Sequence, residues 1–370
     1  MGCYLWVALP RQASHSWRST TLVEMPIDPA GRKRVTIDHV ARAAGVSRTT
    51  VSKVFNDQAG ISQETMERVR RVAAELGWAP SSSAAALASA NTRNVAIVFR
   101  RNPDLLTIDP HFSVVISGVE DVLAPRGYGL QLYMVGEEEK AELDAYRDLS
   151  RRRLVDGVLM SESRVGDKRY DLVASLGLPA VLMGYPEDDR LIPAVHAEVG
   201  DTGLTQAAQH LVEFGHRRIA YVSGPPDRVH TGYRRSVFVS ELARLGVGLG
   251  WSITTSFTED AAASAALSLM GERRPPTVIV FANDSMAMAA IGALQRHGYN
   301  VPADISVVGH DDLPFGHWAH PRLTTISQDL HQMARVSALR LLQLLGTDTS
   351  QLPSIRSPQL IVRDSTAPPP

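Results

Sequence analysis

Apolar residues recur at helical spacing in three short segments near the N-terminus. A first helix is predicted after Thr36, whose hydroxyl suits an N-cap, and Gly45 ends it because glycine enters the left-handed region at no steric cost. A second helix runs from Ser47 to about Phe55, and a third begins after Ser62. The inward positions are all apolar: Ile37, Val40, Ala41, Ala44, Val46, Val51, Val54, Val69, Val72, Ala73 and Leu76. The pattern therefore predicts three short helices with a common core.

Three residues of the first two predicted helices and the turn between them have the spacing of a helix-turn-helix. Ala41 lets two helices approach closely, Gly45 forms the turn, and Val51 fills the space between the helices. The side chains on the outward face of the second helix carry hydrogen-bond donors, which suit the acceptors on base edges in a DNA major groove. These donors are Arg48, Thr49, Ser52 and Lys53. A small three-helix bundle with a solvated basic face is the alternative.

From Asn94 onward, short apolar runs alternate with longer helical patterns. The runs predict strands buried on both faces, and the repeated strand–helix units predict parallel sheets in two successive lobes. Predicted strands are 94–99, 129–134, 154–160, 179–183, 218–223, 277–282, 305–309 and, last, 359–363. Predicted helices are 112–125, 200–214, 230–246 and 284–297. Residues 1–34 show no usable periodicity and are expected to form a disordered tail, with Met25 as an alternative start of translation.

Polar side chains follow several of the predicted strands. Asn283 and Asp284 come after one strand, and Asp311 and Asp312 come after another. Arg234 lies on the helix that follows a third strand. Ligands of open α/β sheets bind beyond the carboxyl ends of the strands, and a carboxylate, an amide and a guanidinium together suit a polyhydroxylated ligand. Phe257 offers a ring for the apolar face of a sugar.

Composition and charge narrow the class of protein. The net charge is −1, but residues 32–80 hold nine Lys or Arg and five Asp or Glu, about +4, which leaves about −5 for the rest. A small polyanion-binding module on an acidic body is expected. Cys3 is the only cysteine, so no disulfide or thiolate metal cluster can form within the chain, as suits a reducing cytoplasm. We expect no cofactor, no metal site and no membrane span.

The segment TIDHVARAAGVSRTTVSKVFNDQAGISQETMERVRRVAAELGWAPSSSAAALA closely resembles the headpiece and hinge of the LacI (lactose-repressor) family of transcriptional regulators. The resemblance covers everything after about Val35. It implies that Arg48, Thr49 and Lys53 read bases. It also implies phosphate contacts, which fix the register on the duplex, from Thr36, Ser47, Ser52, Asn56, Ser62 and Thr65.

The same resemblance makes SSSAAALASA a hinge helix that orders when a dimer sits on its operator, although its composition alone is that of a linker. Leu87, next to the small Ala84, matches the leucine that wedges into a central minor-groove step and kinks the duplex. Ser81 and Ser82 stand where many members carry Asn and Arg, so phosphate anchoring there is expected to be weaker.

For the body, the resemblance implies a two-lobed, periplasmic-binding-protein-like type I fold with the effector in the interlobe cleft. Arg234, Phe257, Asn283 and Asp311 match effector-contacting positions, and His111 and Phe112 lie in a loop that lines the cleft. His310 departs from the aromatic residue that commonly precedes the cleft aspartate. The expected domains are 1–34 (tail), 35–80 (headpiece), 81–93 (hinge), 94–364 (effector-binding and dimerisation domain) and 365–370 (tail).

The expected function is that of a ligand-responsive regulator, a repressor of carbohydrate-utilisation genes that binds a pseudopalindromic double-stranded DNA operator as a homodimer. A nucleoside or purine effector is the alternative. A tetramer is not expected, because only DSTAPPP follows the last strand and consecutive prolines cannot continue a helix. A nucleotide-binding enzyme is disfavoured because residues 94–106 contain no glycine. A periplasmic sugar receptor would have no use for a helix-turn-helix.

Some polar and aromatic residues also have structural interpretations. Asp284 is expected to N-cap the helix that follows it, and Asp312 to be a turn residue or to support its neighbours. Trp318 is expected in the core or at the rim of the cleft, and His210 and His216 are expected to be structural.

Overall fold

A computed structural model describes residues 35–55, 59–79, 91–101, 110–187, 192–197 and 202–370. The chain divides into two compact units that part between Ser81 and Ser82. In the described parts of the chain, no helix is long and apolar enough to cross a membrane.

The first unit contains three helices, as predicted: α1 (Ile37–Ala44), α2 (Arg48–Phe55) and α3 (Gln63–Glu75). Gly45 ends α1 in the left-handed conformation, with φ +64°. Val40, Val51, Val54 and Val69 have no exposed surface and form the centre of the core. The inward valines are therefore packing residues, and they hold the other face of α2 toward solvent.

The second unit contains two lobes. Lobe 1 begins at Asn91 and contains a parallel sheet of order β2-β1-β3-β4-β5. Its elements are β1 (Asn94–Phe99), α4 (Pro110–Leu123), β2 (Gly129–Met134), α5 (Glu139–Arg151), β3 (Gly157–Met160), α6 (Arg169–Ser175), β4 (Ala180–Met183) and β5 (Ala194–Val195).

Lobe 2 contains a second parallel sheet, of order β7-β6-β8-β9. Its elements are α7 (Thr202–Glu213), β6 (Ile219–Ser223), α8 (Val229–Arg244), β7 (Trp251–Thr254), α9 (Glu259–Met270), β8 (Val278–Phe281), α10 (Asp284–Arg296), β9 (Ser306–Val308) and α11 (Pro314–Trp318). The short strand β10 (Thr325–Ser327) follows.

After β10 the chain returns to lobe 1, and it then crosses to lobe 2 once more. Helix α12 (Leu330–Leu344) packs on α4 so closely that a Cβ at Gly118 would lie 2.4 Å from the His331 carbonyl oxygen. Strand β11 (Gln359–Ile361) pairs antiparallel with β10 in lobe 2. The crossings at Gln328–Leu330 and near Pro358 lie close together, because the Arg356 backbone nitrogen and Nε donate to the Asp329 carboxylate (3.3 and 3.0 Å).

The strand predictions at 94–99 and 129–134 are confirmed to the residue, and the remaining strands are confirmed with shorter bounds. Strand β2 is not buried on both faces, because it lies at the edge of its sheet and none of its residues is fully buried. Three strands were missed: β5, β7 and β10. Five helices were missed: α5, α6, α9, α11 and α12. Strand β7 is an edge strand with alternating exposure, so it lacks the continuous apolar run on which the prediction depended.

Two expected boundaries look different in the structure. The described end of the hinge segment, 91–93, is held to lobe 1, because the Asp156 carboxylate accepts from the backbone nitrogens of Thr92 (2.6 Å) and Arg93 (2.9 Å). Residues 365–370, expected as a tail, pack on lobe 2. Ser365 is fully buried, and its hydroxyl donates to the Val307 carbonyl (2.7 Å).

Candidate functional site

The outward face of α2 is the candidate DNA interface of the first unit. Arg48, Thr49 and Lys53, the predicted base-reading residues, are all exposed there. The Arg48 side chain is 68% exposed and lies 3.3 Å from the Asp38 carboxylate, which is itself half exposed. A surface ion pair of this kind contributes little to stability, so the Arg48 side chain can leave Asp38 at small cost.

Most of the predicted phosphate-contacting residues lie at helix N-termini. Thr36 is the N-cap residue of α1, and the Ser47 hydroxyl accepts from the Thr50 nitrogen (3.0 Å) at the start of α2. Ser62 caps α3 and accepts from the Thr65 nitrogen. Helix N-termini attract anions through their unsatisfied N–H groups and dipole, so these positions suit phosphate. Ser52 lies within α2 and is half-buried. Asn56, Ala84 and Leu87 lie outside the described residues.

The candidate ligand site is a cleft of about 460 Å³ between the two lobes. It lies at the carboxyl ends of the parallel strands and beside the crossings at Gln328–Leu330 and Pro358. The six residues that the sequence predicted for effector binding all line it: His111, Phe112, Arg234, Phe257, Asn283 and Asp311. Residues up to 200 positions apart are brought together because strands of both sheets end at this cleft.

Asp311 presents an ionised carboxylate at the end of β9. It is buried, its backbone has φ +113°, and its Oδ1 accepts hydrogen bonds from Gln328 Nε2 and from His310 Nδ1, the latter at 3.2 Å. Burial would raise the pKa of Asp311, but the His310 hydrogen bond and the charges of His310 and Arg234 outweigh it and lower the pKa to about 2. Strained backbone of this kind concentrates at ligand sites.

The N-cap role that the sequence suggested for Asp284 belongs to its neighbour Asn283, which also lines the cleft. Asn283, not Asp284, is the N-cap residue of α10, and its Oδ1 accepts from the Met286 nitrogen (2.8 Å). Its Nδ2 group remains able to donate to a ligand. The N-cap prediction for Asp284 is wrong: its side chain is fully buried and accepts from the Leu313 nitrogen (2.7 Å) and the Thr325 hydroxyl. Burial and the neighbouring charge of Asp311 raise its pKa to about 8.

Phe257 forms an aromatic wall of the cleft. Its backbone has φ +66°, and its ring lies directly against Gly224, where a Cβ would be only 1.9 Å from the ring. His230 stacks on the same ring, with centroids 5.9 Å apart and planes at 15°. Burial, followed by the charge of Arg234, lowers the pKa of His230 to about 3, so this imidazole is neutral at physiological pH.

Several cleft residues were missed by sequence reasoning. Arg101 and Glu162 form an ion pair across the ends of β1 and β3, and the Arg101 guanidinium lies 5.9 Å from the centre of the Phe257 ring. Burial would raise the pKa of Glu162, but the Arg101 charge outweighs it and lowers the pKa to about 2. Tyr185 stacks on His196 at the ends of β4 and β5. Each of the four lies within two residues after a strand, which is a signal that the local sequence contains.

The remaining structural interpretations have mixed outcomes. His216 is fully buried and bonds Thr277 (2.8 Å), and His210 bonds Thr366 (3.1 Å), so both are structural, as predicted. Asp312 does not line the cleft and instead pairs with Arg363. The prediction for Trp318 is wrong, because its side chain is 81% exposed and does not line the cleft.

A helix-turn-helix unit followed by a two-lobed α/β unit with a small-molecule cleft defines a ligand-responsive DNA-binding regulator. Family models match both parts: residues 36–81 match "Bacterial regulatory proteins, lacI family", and residues 208–366 match "Periplasmic binding protein-like domain". The chain belongs to the LacI family, and it is a DNA-binding transcriptional regulator.

Curated relatives match nearly end to end. The transcriptional regulator CelR of Thermobifida fusca is 32% identical over 90% of this chain and 99% of its own length. The transcriptional repressor CytR of Escherichia coli K12 is 30% identical over 90% of this chain and 96% of its own. These relatives are regulators rather than enzymes.

Solved structures support the same assignment. The Lac repressor dimer bound to operator and the anti-inducer ONPF has a TM-score of 0.79 and 27% identity, with 90% of this chain and 100% of the other covered. The CelR–cellobiose complex has a TM-score of 0.65 and 30% identity, again over 90% of this chain and 100% of the other.

Proposed function

We propose that the protein is a dimeric repressor of carbohydrate-utilisation genes whose effector is a sugar bound in the interlobe cleft. Arg48, Thr49 and Lys53 read base edges, while Thr36, Ser47, Ser52, Asn56, Ser62 and Thr65 hold phosphates. The compartment is the cytoplasm, where the DNA is.

The chemistry of the cleft carries the sugar assignment. An ionised carboxylate (Asp311), a guanidinium (Arg234) and a side-chain amide (Asn283) line one cavity with the aromatic ring of Phe257. A sugar hydroxyl can donate to the carboxylate and accept from the guanidinium or amide, and the apolar face of the ring packs on the aromatic. A volume of about 460 Å³ lies within the roughly 300–1,000 Å³ range of small-molecule sites.

The charge distribution favours a neutral ligand. Arg101 is held by Glu162, and the charge of Arg234 is balanced by that of Asp311, so the cleft presents paired rather than excess positive charge. A neutral polyol can use both partners of each pair, whereas a strongly anionic ligand would meet two ionised carboxylates. The complex of the similar CelR with cellobiose supports a sugar of this kind.

Dimerisation follows from the proposed operator. A pseudopalindromic site needs one headpiece per half-site, and the wedge assigned to Leu87 needs two hinges side by side at the centre. The similar Lac repressor binds its operator as a dimer. We propose that the effector changes the relative position of the lobes and hence the spacing of the hinges. The resulting coupling is reciprocal and is commonly about 1–3 kcal/mol.

A salt titration tests DNA binding. The full chain is mixed with a duplex that carries its operator and with a scrambled duplex, and gel-shift affinities are measured between low and high salt. Specific binding should be tighter by orders of magnitude, and both affinities should fall linearly on a log–log plot as phosphates are neutralised. Equal affinity for both duplexes would contradict the proposal.

A thermal-shift panel tests the effector class. Mono- and disaccharides, including cellobiose, are compared with cytidine, adenosine and hypoxanthine at equal concentrations. A sugar should raise the unfolding temperature of the wild type, and the same sugar should fail with Phe257→Ala. A shift given only by a nucleoside or purine would replace the sugar assignment with the alternative effector class.

A further inference from the structure

The seam between the lobes holds a second polar cavity, separate from the ligand cleft. It measures about 110 Å³ and is lined by residues of lobe 1 together with Asp227 of lobe 2. That volume exceeds the roughly 10–15 Å³ that one water needs, and it is far below that of a drug-sized site. The charged residues that line it are Arg100, Glu139, Glu142, Arg164, Asp167, Lys168, Arg169 and Asp227.

Backbone hydrogen bonds join the lobes beside this cavity. The Val165 nitrogen donates to the Asp227 carbonyl (2.8 Å), and the Val229 nitrogen donates to the Ser163 carbonyl (3.0 Å). This short antiparallel bridge sets Arg164 of lobe 1 directly opposite Arg228 of lobe 2. Like charges directly opposite one another in such a pair destabilise it, so the bridge needs compensating negative charge.

The buried carboxylates do not fully supply that charge. Among the described residues of the seam, five charged side chains are less than a tenth exposed. Three of them are cations, Arg164, Arg169 and Arg228, and only two are anions, Glu142 and Asp167. Glu142 accepts from Arg164 Nη1 (2.7 Å) and Arg169 Nη1 (3.1 Å), and Asp167 is held by Arg169.

Glu162 is only 16% exposed and its charge also acts on Arg228, but it is paired with Arg101, and the other described carboxylates near the seam are exposed to solvent. Asp227, the partner of Arg228 at 3.2 Å, is 48% exposed, and Glu139 is 45% exposed and pairs with Lys168. Glu187, which accepts from the Gly166 nitrogen, is also exposed. Water and salt screen exposed charges, so these carboxylates neutralise the buried guanidinium groups only weakly.

Two observations identify positive groups of the seam that lack close partners among the described residues. The Nε atoms of Arg164 and Arg228 are buried and have no hydrogen-bond partner among the described residues. Arg100 lines the cavity and is only 15% exposed, and its nearest ion pairs within the described parts of the chain are at 3.9 Å, to Glu142 and to Asp227. Guanidinium groups present several N–H donors in a fixed plane and match the oxygens of an oxyanion.

We propose that this seam is a binding site for a small inorganic oxyanion, of which phosphate is the representative, held by Arg100 and Arg164. The bound anion balances the buried positive charge and stabilises the bridge between residues 163–165 and 227–229. It thereby favours the arrangement of the lobes in which the bridge is formed. The site does not depend on the identity of the ligand in the cleft.

The test uses the full chain without DNA or sugar. Calorimetric titration with sodium phosphate at constant ionic strength should show one saturable site per chain, and phosphate replacing chloride should raise the unfolding temperature by about 2–4 °C beyond the general effect of a kosmotropic salt. Arg100→Gln should give no saturable heat with phosphate, and its unfolding temperature should rise only by the general effect of a kosmotropic salt. Arg273→Gln, at an exposed arginine of lobe 2 that does not line the cavity, should behave as the wild type.

Three results would overturn the site. Equal phosphate binding by Arg100→Gln and wild type would place the anion elsewhere, and loss of binding in Arg234→Gln would place it in the ligand cleft. The absence of saturable heat in the wild type would mean that water alone solvates the two Nε groups. Arg100→Lys, which keeps the charge but not the planar donors, should restore part of the affinity.

Discussion

Gly224→Ala offers a sharp test of how the ligand cleft is built. A Cβ at this position would lie 1.9 Å from the Phe257 ring, so the ring must retreat by about 1.5 Å to regain an ordinary 3.4 Å contact. Gly224 is buried, whereas Phe257 is only partly buried and borders the cleft, so the ring can retreat toward the cleft. The displaced ring then occupies volume that the ligand needs.

The expected magnitude follows from the cost of overpacking. Inserting a methyl group into a packed site typically costs about 1–3 kcal/mol. If the displaced ring transfers that cost to binding, the affinity for the sugar identified in the panel falls by roughly 5- to 150-fold, because each 1.4 kcal/mol is a factor of ten. Isothermal titration of wild type and variant with that sugar measures the change, and operator affinity without sugar should stay the same.

Gly248→Ala is the matched control. It lies in the same lobe, and a Cβ there would meet nothing within 4 Å, so sugar affinity should be unchanged. Unchanged affinity in Gly224→Ala, together with wild-type thermal stability, would show that the Phe257 ring does not shape the ligand site.

The remaining predictions concern the headpiece, a buried carboxyl group and assembly. Arg48→Ala should lose about 1–3 kcal/mol of discrimination at one base pair per half-site in competition gel shifts, and a uniform loss on all sequences would make Arg48 a phosphate contact. Asp284 has a pKa raised from 3.8 to about 8, so its contribution to stability is full below the unfolded value and is lost as pH rises through about 8. Asp284→Asn should therefore flatten the fall in unfolding temperature between pH 5 and 9, and parallel curves would contradict the shift. Sedimentation equilibrium at micromolar concentration should give twice the 40.3 kDa chain mass, and a monomer would undermine the operator model.

The sequence by itself determined the elements whose signals are local. The three headpiece helices follow from apolar spacing, hydroxyl N-caps and the glycine at position 45, all within a few residues of one another. Strand β1 was predictable because both of its faces are buried, which requires a continuous apolar run. Asn283 and Asp311 were found because they follow such strands within three residues.

Only the tertiary structure decided which polar groups meet and what charge they carry. Asn283 and Asp284 are adjacent in the sequence, and either could cap the helix that follows. Asp284 is instead a buried acceptor, because its donors, the Leu313 nitrogen and the Thr325 hydroxyl, come from distant parts of the chain. Edge strand β7 alternates in exposure over only four residues, and the apolar residues of α9 are mostly alanines. Both elements therefore depend on the sheet for their stability, β7 as its edge strand and α9 as a helix packed on it. Burial and neighbouring charge set the ionisation of Asp311 and Glu162, and apart from His310 the charged groups involved arrive from distant parts of the chain.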